Sequence, residues 1–322
     1  MPVVLFDTDP GVDDAMALLY LHRHPDVEIA GITTVAGNAT IDVVTRNALY
    51  LAERFGIDAP VARGAAVSLH GHLRIAPPAI HGENGLGDIA LGAEPQRTID
   101  PRPAHRFIID TIRARPGEVT IVAIARMTNL ARALIDDPGI APLVREVVMM
   151  GGAFGIDGRV GNASPVAEAN MLGDPHAADI ACSANWPVTM LGLDVTERIV
   201  MSPAYLERLR DFGGEAGRFI WDISRGYQVW HREQDGIDGL FTHDPAAAIC
   251  AVDPTPFTFR EDPVRVAVDG IAEGMTLQRR HHSQEEEHPW RDVRAQRVAI
   301  DVDTERVLDL YAETLLDGAA TA

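Results

Sequence analysis

The sequence predicts an α/β fold built on an open, mostly parallel sheet flanked by helices. Two observations carry that expectation. Short, unbroken apolar runs recur along the 322 residues, and segments of helical spacing lie between them. Strands that read as continuous apolar runs, rather than alternating ones, are buried on both faces, as in a parallel sheet covered by helices. Hydrophobic residues make up 46% of the chain, enough for a sizeable core.

The elements follow in order. Residues 3–7, V-V-L-F-D, read as a buried strand. A helix comes next, with apolar positions at Met16, Leu18, Leu19 and Leu21, ending near His24-Pro25. Residues 28–35 form a second strand, and residues 40–55 have helical spacing at Ile41, Val44, Ala48, Leu51 and Ala52. Further strands are expected at 119–124, 146–150, 187–193 and 264–268, with helices between them. Residues 63–100 carry little periodicity and much Gly, His and Pro. Long irregular segments in compact domains are more often functional than idle. The polar stretch 278–292 reads as a mobile loop. Its three histidines suggest a metal site, but a solvated loop is the simpler reading. The last six residues, D-G-A-A-T-A, read as frayed. With no repeat and no linker, a single domain over 1–322 is expected.

Composition excludes several functions. The 28 basic residues, all arginine, face 47 acidic ones, for a net charge of -19. Such a surface repels nucleic acid and anionic lipid. Without lysine there is no Schiff-base, P-loop or general-base lysine. Cys182 and Cys250 stand alone in apolar stretches and make neither a disulfide framework nor a zinc site. No basic n-region precedes an apolar segment, and no apolar run approaches the ~18 residues of a membrane span. A cytoplasmic location is the expectation.

The chemistry is concentrated in D-T-D-P-G-V-D-D, where Asp7, Asp9, Asp13 and Asp14 crowd into eight positions between a strand and a helix. Acidic residues suit a first helical turn, where they meet free N–H groups and the positive dipole end. One or two aspartates need no more than that. Four would repel one another and be costly to keep ionised, by ~1.4 kcal/mol per pKa unit. A divalent cation removes the conflict, and all-oxygen ligation favours Ca²⁺ or Mg²⁺ over zinc. The EF-hand spacing fails and the Gly-rich dinucleotide fingerprint is absent. A D-x-D phosphatase of the haloacid-dehalogenase kind needs a threonine where Gly11 stands, and a later lysine.

Seven boxes occur in order: D-T-D-P-G-V-D-D (7–14), T-T-V-A-G-N (33–38), I-H-G-E-N-G-L-G (80–87), M-T-N-L-A (127–131), V-V-M-M-G-G (147–152), V-A-E-A-N (166–170) and T-H-D-P (242–245). With these boxes, from residue 3 to about 305, the chain resembles the nucleoside hydrolase family. The resemblance implies that family's fold, an open sheet with a Rossmann-like core, and calcium-dependent hydrolysis of ribonucleosides to ribose and free base. It implies one Ca²⁺ per chain, held by Asp9, Asp14, Asp244 and the Ile124 carbonyl, with ribose hydroxyls and the attacking water completing the shell. Asp13 matches the general base, and Asp7 is expected to support the metal ligands from behind. Asn38, Asn162, Glu168 and Asn170 match positions that hold ribose hydroxyls, and Met150 one that packs near the sugar.

Such polar groups beside the ring stabilise the oxocarbenium character that builds as an N-glycosidic bond breaks. The departing base needs a proton or hydrogen bonds, for which His243 and His81 are the candidates. Tyr227, Trp230 and His231 are expected to line the base pocket. The resemblance also implies a small-molecule nucleoside substrate and a homo-oligomer, a dimer or tetramer. On local sequence Asp244-Pro245 reads equally as a helix cap, like Asp174-Pro175; the resemblance turns it towards metal. The chain departs from the family at Ala125-Arg126, where small residues or proline are usual before T-N. Arg126 is expected either to turn outward to an acidic partner or to alter the pocket. A catalytically silent nucleoside- or ribose-binding protein is the rival reading, and the presence of both Asp13 and His243 favours the enzyme.

Overall fold

The computed structural model describes residues 2–280 and 290–316. Most of the 278–292 stretch, and the last six residues, lie outside the described residues. Among the described residues eleven strands are formed: β1 Val3–Thr8, β2 Glu28–Thr34, β3 Val61–Arg63, β4 Val119–Ala123, β5 Glu146–Met150, β6 Val188–Leu191, β7 Val200–Met201, β8 Leu240–Phe241, β9 Phe257–Val266, β10 Thr276–Gln278 and β11 Ala295–Val302. Nine of them make one sheet in the order β3-β2-β1-β4-β5-β6-β11-β9-β10, and β7 and β8 pair separately. All pairings from β3 to β11 are parallel. β9 runs antiparallel to both β11 and β10.

The expected strands at 3–7, 28–35, 119–124, 146–150 and 187–193 are thus present, with ends that differ by a few residues. The run 264–268 is instead the tail of the longer, antiparallel β9. β11 has no apolar run because a glutamine is buried in it. Gln296 accepts from the Val188 N–H (2.8 Å) and donates to the carbonyls of Cys182 (3.1 Å) and Trp186 (3.2 Å). Its polar groups are satisfied, so burial costs little.

The order β3-β2-β1-β4-β5-β6 is that of a doubly wound sheet, whose ligand crevice lies outside the carboxyl ends of the strands where the order reverses, here between β1 and β4. Two helices crowd that place. The helix Val12–Arg23 is buried from Val12 through Leu21, on all sides rather than along one stripe. It packs against the helix Asp244–Val252, which is buried from Asp244 through Cys250. Both begin at the same end of the sheet, so their first turns meet there.

Candidate active site

β1 ends at Thr8 and delivers Asp9 to the crevice. Pro10 and Gly11 turn the chain, and Asp13 and Asp14 fall in the next helix's first turn. Asp14 organises this turn. Its Oδ1 accepts from Thr8 Oγ1 (2.6 Å) and the Asp9 N–H (3.1 Å). Its Oδ2 accepts from the Gly11 N–H (2.9 Å) and Asn38 Nδ2 (2.8 Å). A carboxylate offers about four lone-pair positions. For Asp14, capping is therefore real.

Capping does not account for the others. Asp9 Oδ2 accepts the Asn38 N–H (2.7 Å), but its buried Oδ1 has no partner among the described residues, and neither does Asp13 Oδ1. Asp244 opens its helix with Pro245 behind it. Asp13, Asp14 and Asp244 each place a carboxylate oxygen within 4.8 Å of the other two, and all three are buried. Asp9 is not in this triplet. Burial, then the charge of Asp14, pushes Asp13 up to about 8. Burial and Asp14 also raise Asp9, while burial and the charges of Asp13, Asp14 and Asp9 raise Asp244. Buried, unpartnered oxygens on mutually repelling carboxylates fit a hard divalent cation. The donors at hand are all oxygen.

The Ile124 carbonyl sits just past β4. Its amide donates to the Asp7 carbonyl (3.0 Å), and its oxygen accepts from Asn170 Nδ2 (3.0 Å). The side chain of Asp7 does not reach the other carboxylates. It accepts from Thr33 Oγ1 (2.5 Å) and Asn129 Nδ2 (2.8 Å), and burial lifts it to about 7. Its link to the site runs through the backbone, by the bond from the Ile124 amide.

The T-T-V-A-G-N box closes the crevice from the β2 side. A Cβ on Gly37 would lie 1.8 Å from Asp9 Oδ2. Gly37→Ala is therefore expected to displace Asp9 and cost about 10²-fold in kcat/KM, the scale of a 1 Å misplacement. Steady-state kinetics on folded variant checks this; an unchanged value would mean that Asp9 tolerates the shift.

One cavity brings most of the expected residues together, though Asp7, Asp9 and Asp14 are not in its lining. Asp13, Asn38, His81, Ile124, Met150, Asn162, Glu168, Asn170, Tyr227, Trp230, His231, His243 and Asp244 all line it. Glu168 is gripped by the backbone N–H groups of Asn170 (2.8 Å), Gly152 (3.0 Å) and Met171 (3.1 Å). Burial raises its pKa against those bonds. Asn162 Oδ1 accepts the Ala169 N–H (3.1 Å), tying the exposed loop to the helix that carries Asn170. The side chain of Asn170 also donates to the Met150 carbonyl (3.2 Å).

The histidines are neutral. Burial drives His81 down to about 4 and His243 to about 3. His81 Nδ1 accepts the Val12 N–H (3.3 Å), so its hydrogen sits on Nε2. His243 Nδ1 is bonded to Thr196 Oγ1 (2.9 Å). Thr8, Thr196 and Asp235 were not read from the sequence as site residues. Thr8 lies inside the aspartate motif, and Asp235 stands one helical turn from His231, a signal that was available. Thr196 gave none.

Arg126 neither turns outward nor joins the cavity lining. It is buried at 7% exposure, packed against Gly173, where a Cβ would lie 2.1 Å from its Nε. Burial lowers its pKa, opposed by Asp9, Asp174 and Glu168.

The sequence pattern of the inosine-uridine preferring nucleoside hydrolases matches residues 4–309. The chain belongs to that family. It is 39% identical over 315 residues to a probable uridine nucleosidase 1 of rice (Oryza sativa subsp. japonica), covering 97% of this chain and 96% of the relative. It is 39% identical over 278 residues to the inosine-uridine preferring nucleoside hydrolase of Leishmania major, covering 85% and 86%. Among solved structures, a plant nucleoside hydrolase superposes with a TM-score of 0.93 at 37% identity, covering 98% of this chain and 99% of that one. A purine-preferring ribonucleoside hydrolase from Gardnerella vaginalis gives 0.88 at 32% identity, covering 97% of both chains. This nucleoside hydrolase is thus an N-glycosidase, of a metal-dependent family, and the buried aspartates supply a site for such a metal. No helix among its described residues is long and apolar enough to cross a membrane.

Proposed function

We propose that this nucleoside hydrolase cleaves uridine and inosine to ribose and free base, using one Ca²⁺ held by Asp9, Asp14, Asp244 and the Ile124 carbonyl, with Asp13 as general base. The observation that carries this reading is a cluster of mutually repelling buried carboxylates, two of which, Asp13 and Asp244, line a cavity together with the amides of Asn38, Asn162 and Asn170 and neutral histidines. The names of the rice and Leishmania relatives support the choice of bases. Ca²⁺ takes six to eight oxygens, and the carboxylates and carbonyl supply part of that set.

Bound there, the cation would lower the pKa of a water and fix sugar oxygens. Asp13, with its unpartnered Oδ1 and its place on the cavity wall, receives the water's proton. Glu168, held rigid by three N–H groups, puts negative charge beside the ring as C1′ becomes electron-poor. Neutral His81 and His243 donate hydrogen bonds to the leaving base. A specific observation favours a second arrangement: Asp13, Asp14 and Asp244 form the triplet whose carboxylate oxygens all lie within 4.8 Å of one another, which would place Asp13 in the ligand set and leave Asp9 to take the proton.

The test is base release from uridine and inosine, followed by chromatography, before and after calcium chelation. Chelation is expected to cost at least about 10²-fold, restored by adding Ca²⁺ back. Undiminished turnover in chelator would overturn the metal role, and ribose binding without base release would make the chain a binding protein. The reading includes a homo-dimer or tetramer, read out by light scattering, in the cytoplasm, where the buried free thiols of Cys182 and Cys250 stay reduced.

A further inference from the structure

One buried pair in the cavity wall is not used by the mechanism above. His231 is 1% exposed, on the long helix Gly214–Gln234. Its Nδ1 lies 2.7 Å from Asp235 Oδ2, one turn along. Its Nε2 is buried without any partner among the described residues, although the residue lines the cavity. A buried polar atom left unpaired on a residue that lines a cavity is a place where a ligand atom belongs.

The chemistry of the pair fixes what that atom is. A carboxylate only accepts, so Nδ1 carries the hydrogen and donates to Asp235. Burial lowers the pKa of His231 in spite of Asp235, so the ring is neutral near pH 7. A neutral imidazole protonated at Nδ1 has a lone pair at Nε2. His81 has the opposite tautomer, because its Nδ1 accepts from Val12 and its Nε2 carries the hydrogen. Both rings pack on Tyr227, at 5.3 Å for His81 and 4.4 Å for His231. Beside Tyr227 the cavity thus sets a donor, His81, and an acceptor, His231.

We infer that His231, locked by Asp235, presents Nε2 as a hydrogen-bond acceptor that selects bases with a ring N–H beside a carbonyl, the lactam edge of uracil and of 6-oxopurines. Cytosine and adenine carry an unprotonated ring nitrogen at that edge. Opposite Nε2, two lone pairs would meet. This specificity rests on the proposed hydrolase activity, and it assigns His231 a binding role and Asp235 a positioning role.

The test measures kcat/KM for uridine, cytidine and N3-methyluridine, which lacks the ring N–H. The wild-type enzyme is expected to favour uridine over each of the others by about 10²-fold, since a site built to hydrogen-bond a group rejects analogues lacking it. His231→Phe keeps the ring packing and is expected to bring the ratios towards one, mainly by losing uridine. Asp235→Asn can donate to Nδ1 as well as accept from it, which removes the lock and lets the ring hydrogen move to Nε2. That variant is expected to gain cytidine relative to uridine, a change that mere loss of packing would not produce. Asp235 is 34% exposed, so its variant reports even if His231→Phe fails to fold. Equal rates for uridine and cytidine in the wild type, or ratios unmoved in the variants, would overturn the inference. No base release from any nucleoside would overturn the hydrolase reading instead.

Discussion

Asp14→Ala is expected to abolish measurable turnover, a loss of about 10³-fold or more in kcat/KM, and to lack the rise in melting temperature with calcium that the proposed site predicts for the wild type. The reason is that Asp14 holds the site's backbone as well as a share of its charge. Thr8 Oγ1, the Asp9 and Gly11 N–H groups and Asn38 Nδ2 all point at its two oxygens. Alanine leaves these donors buried and unmet, which costs about 1–3 kcal/mol for each that finds no new partner. An opposing term exists in the metal-free protein, because Asp14 raises the pKa values of Asp9 and Asp13 and its removal relieves them. Four unmet donors outweigh that relief, so the melting temperature should fall in calcium-free buffer too. Asp14→Asn separates the terms. It keeps an acceptor for Thr8 and the Asp9 amide, so it should recover part of the lost melting temperature while remaining unresponsive to calcium. A calcium-dependent rise in melting temperature in either variant equal to that of wild type would count against Asp14 as a ligand.

What the sequence made legible follows from how local each signal is. The aspartate motif reads well because a strand end, a turn and a helix start are set by near neighbours. Hence Asp13 and Asp14 fall in a helical first turn as expected. Five of the parallel strands, β1, β2, β4, β5 and β6, read well because each is a short apolar run. β11 was invisible because its burial depends on Gln296 finding partners in a segment more than a hundred residues away. Asp244 needed tertiary context for the same reason. Its local sequence matches that of Asp174, whose carboxylate instead caps its helix at Ala177 and accepts from Thr128 and Leu69. What distinguishes the two is that one helix packs beside Val12–Arg23 in the core and the other does not. Arg126 was legible as a departure but not in its outcome, because whether a buried cation is tolerated depends on Asp9, Asp174 and Glu168 arriving from three other segments.

Asp13→Asn is expected to lower kcat by about 10²- to 10⁴-fold, the usual contribution of a general base, while the variant still gains thermal stability from calcium. Two features of the structure pull in different directions here. Asp13 lines the cavity and has an unpartnered oxygen, as a base must, whereas Asp9 is held back by the Asn38 amide and the close approach of Gly37. Yet Asp13 is the residue whose oxygen lies within 4.8 Å of those of Asp14 and Asp244, as a ligand's would. Running Asp9→Asn beside Asp13→Asn resolves the conflict, because a ligand and a base fail differently. Removing a ligand's charge weakens calcium binding and the calcium-dependent rise in melting temperature, and extra calcium restores part of the rate. Removing the base leaves binding intact and the rate low at any calcium concentration. If Asp13→Asn shows the second pattern and Asp9→Asn the first, Asp13 takes the proton. The reverse pairing would exchange their roles, and a parent-like rate in Asp13→Asn would remove Asp13 from the chemistry.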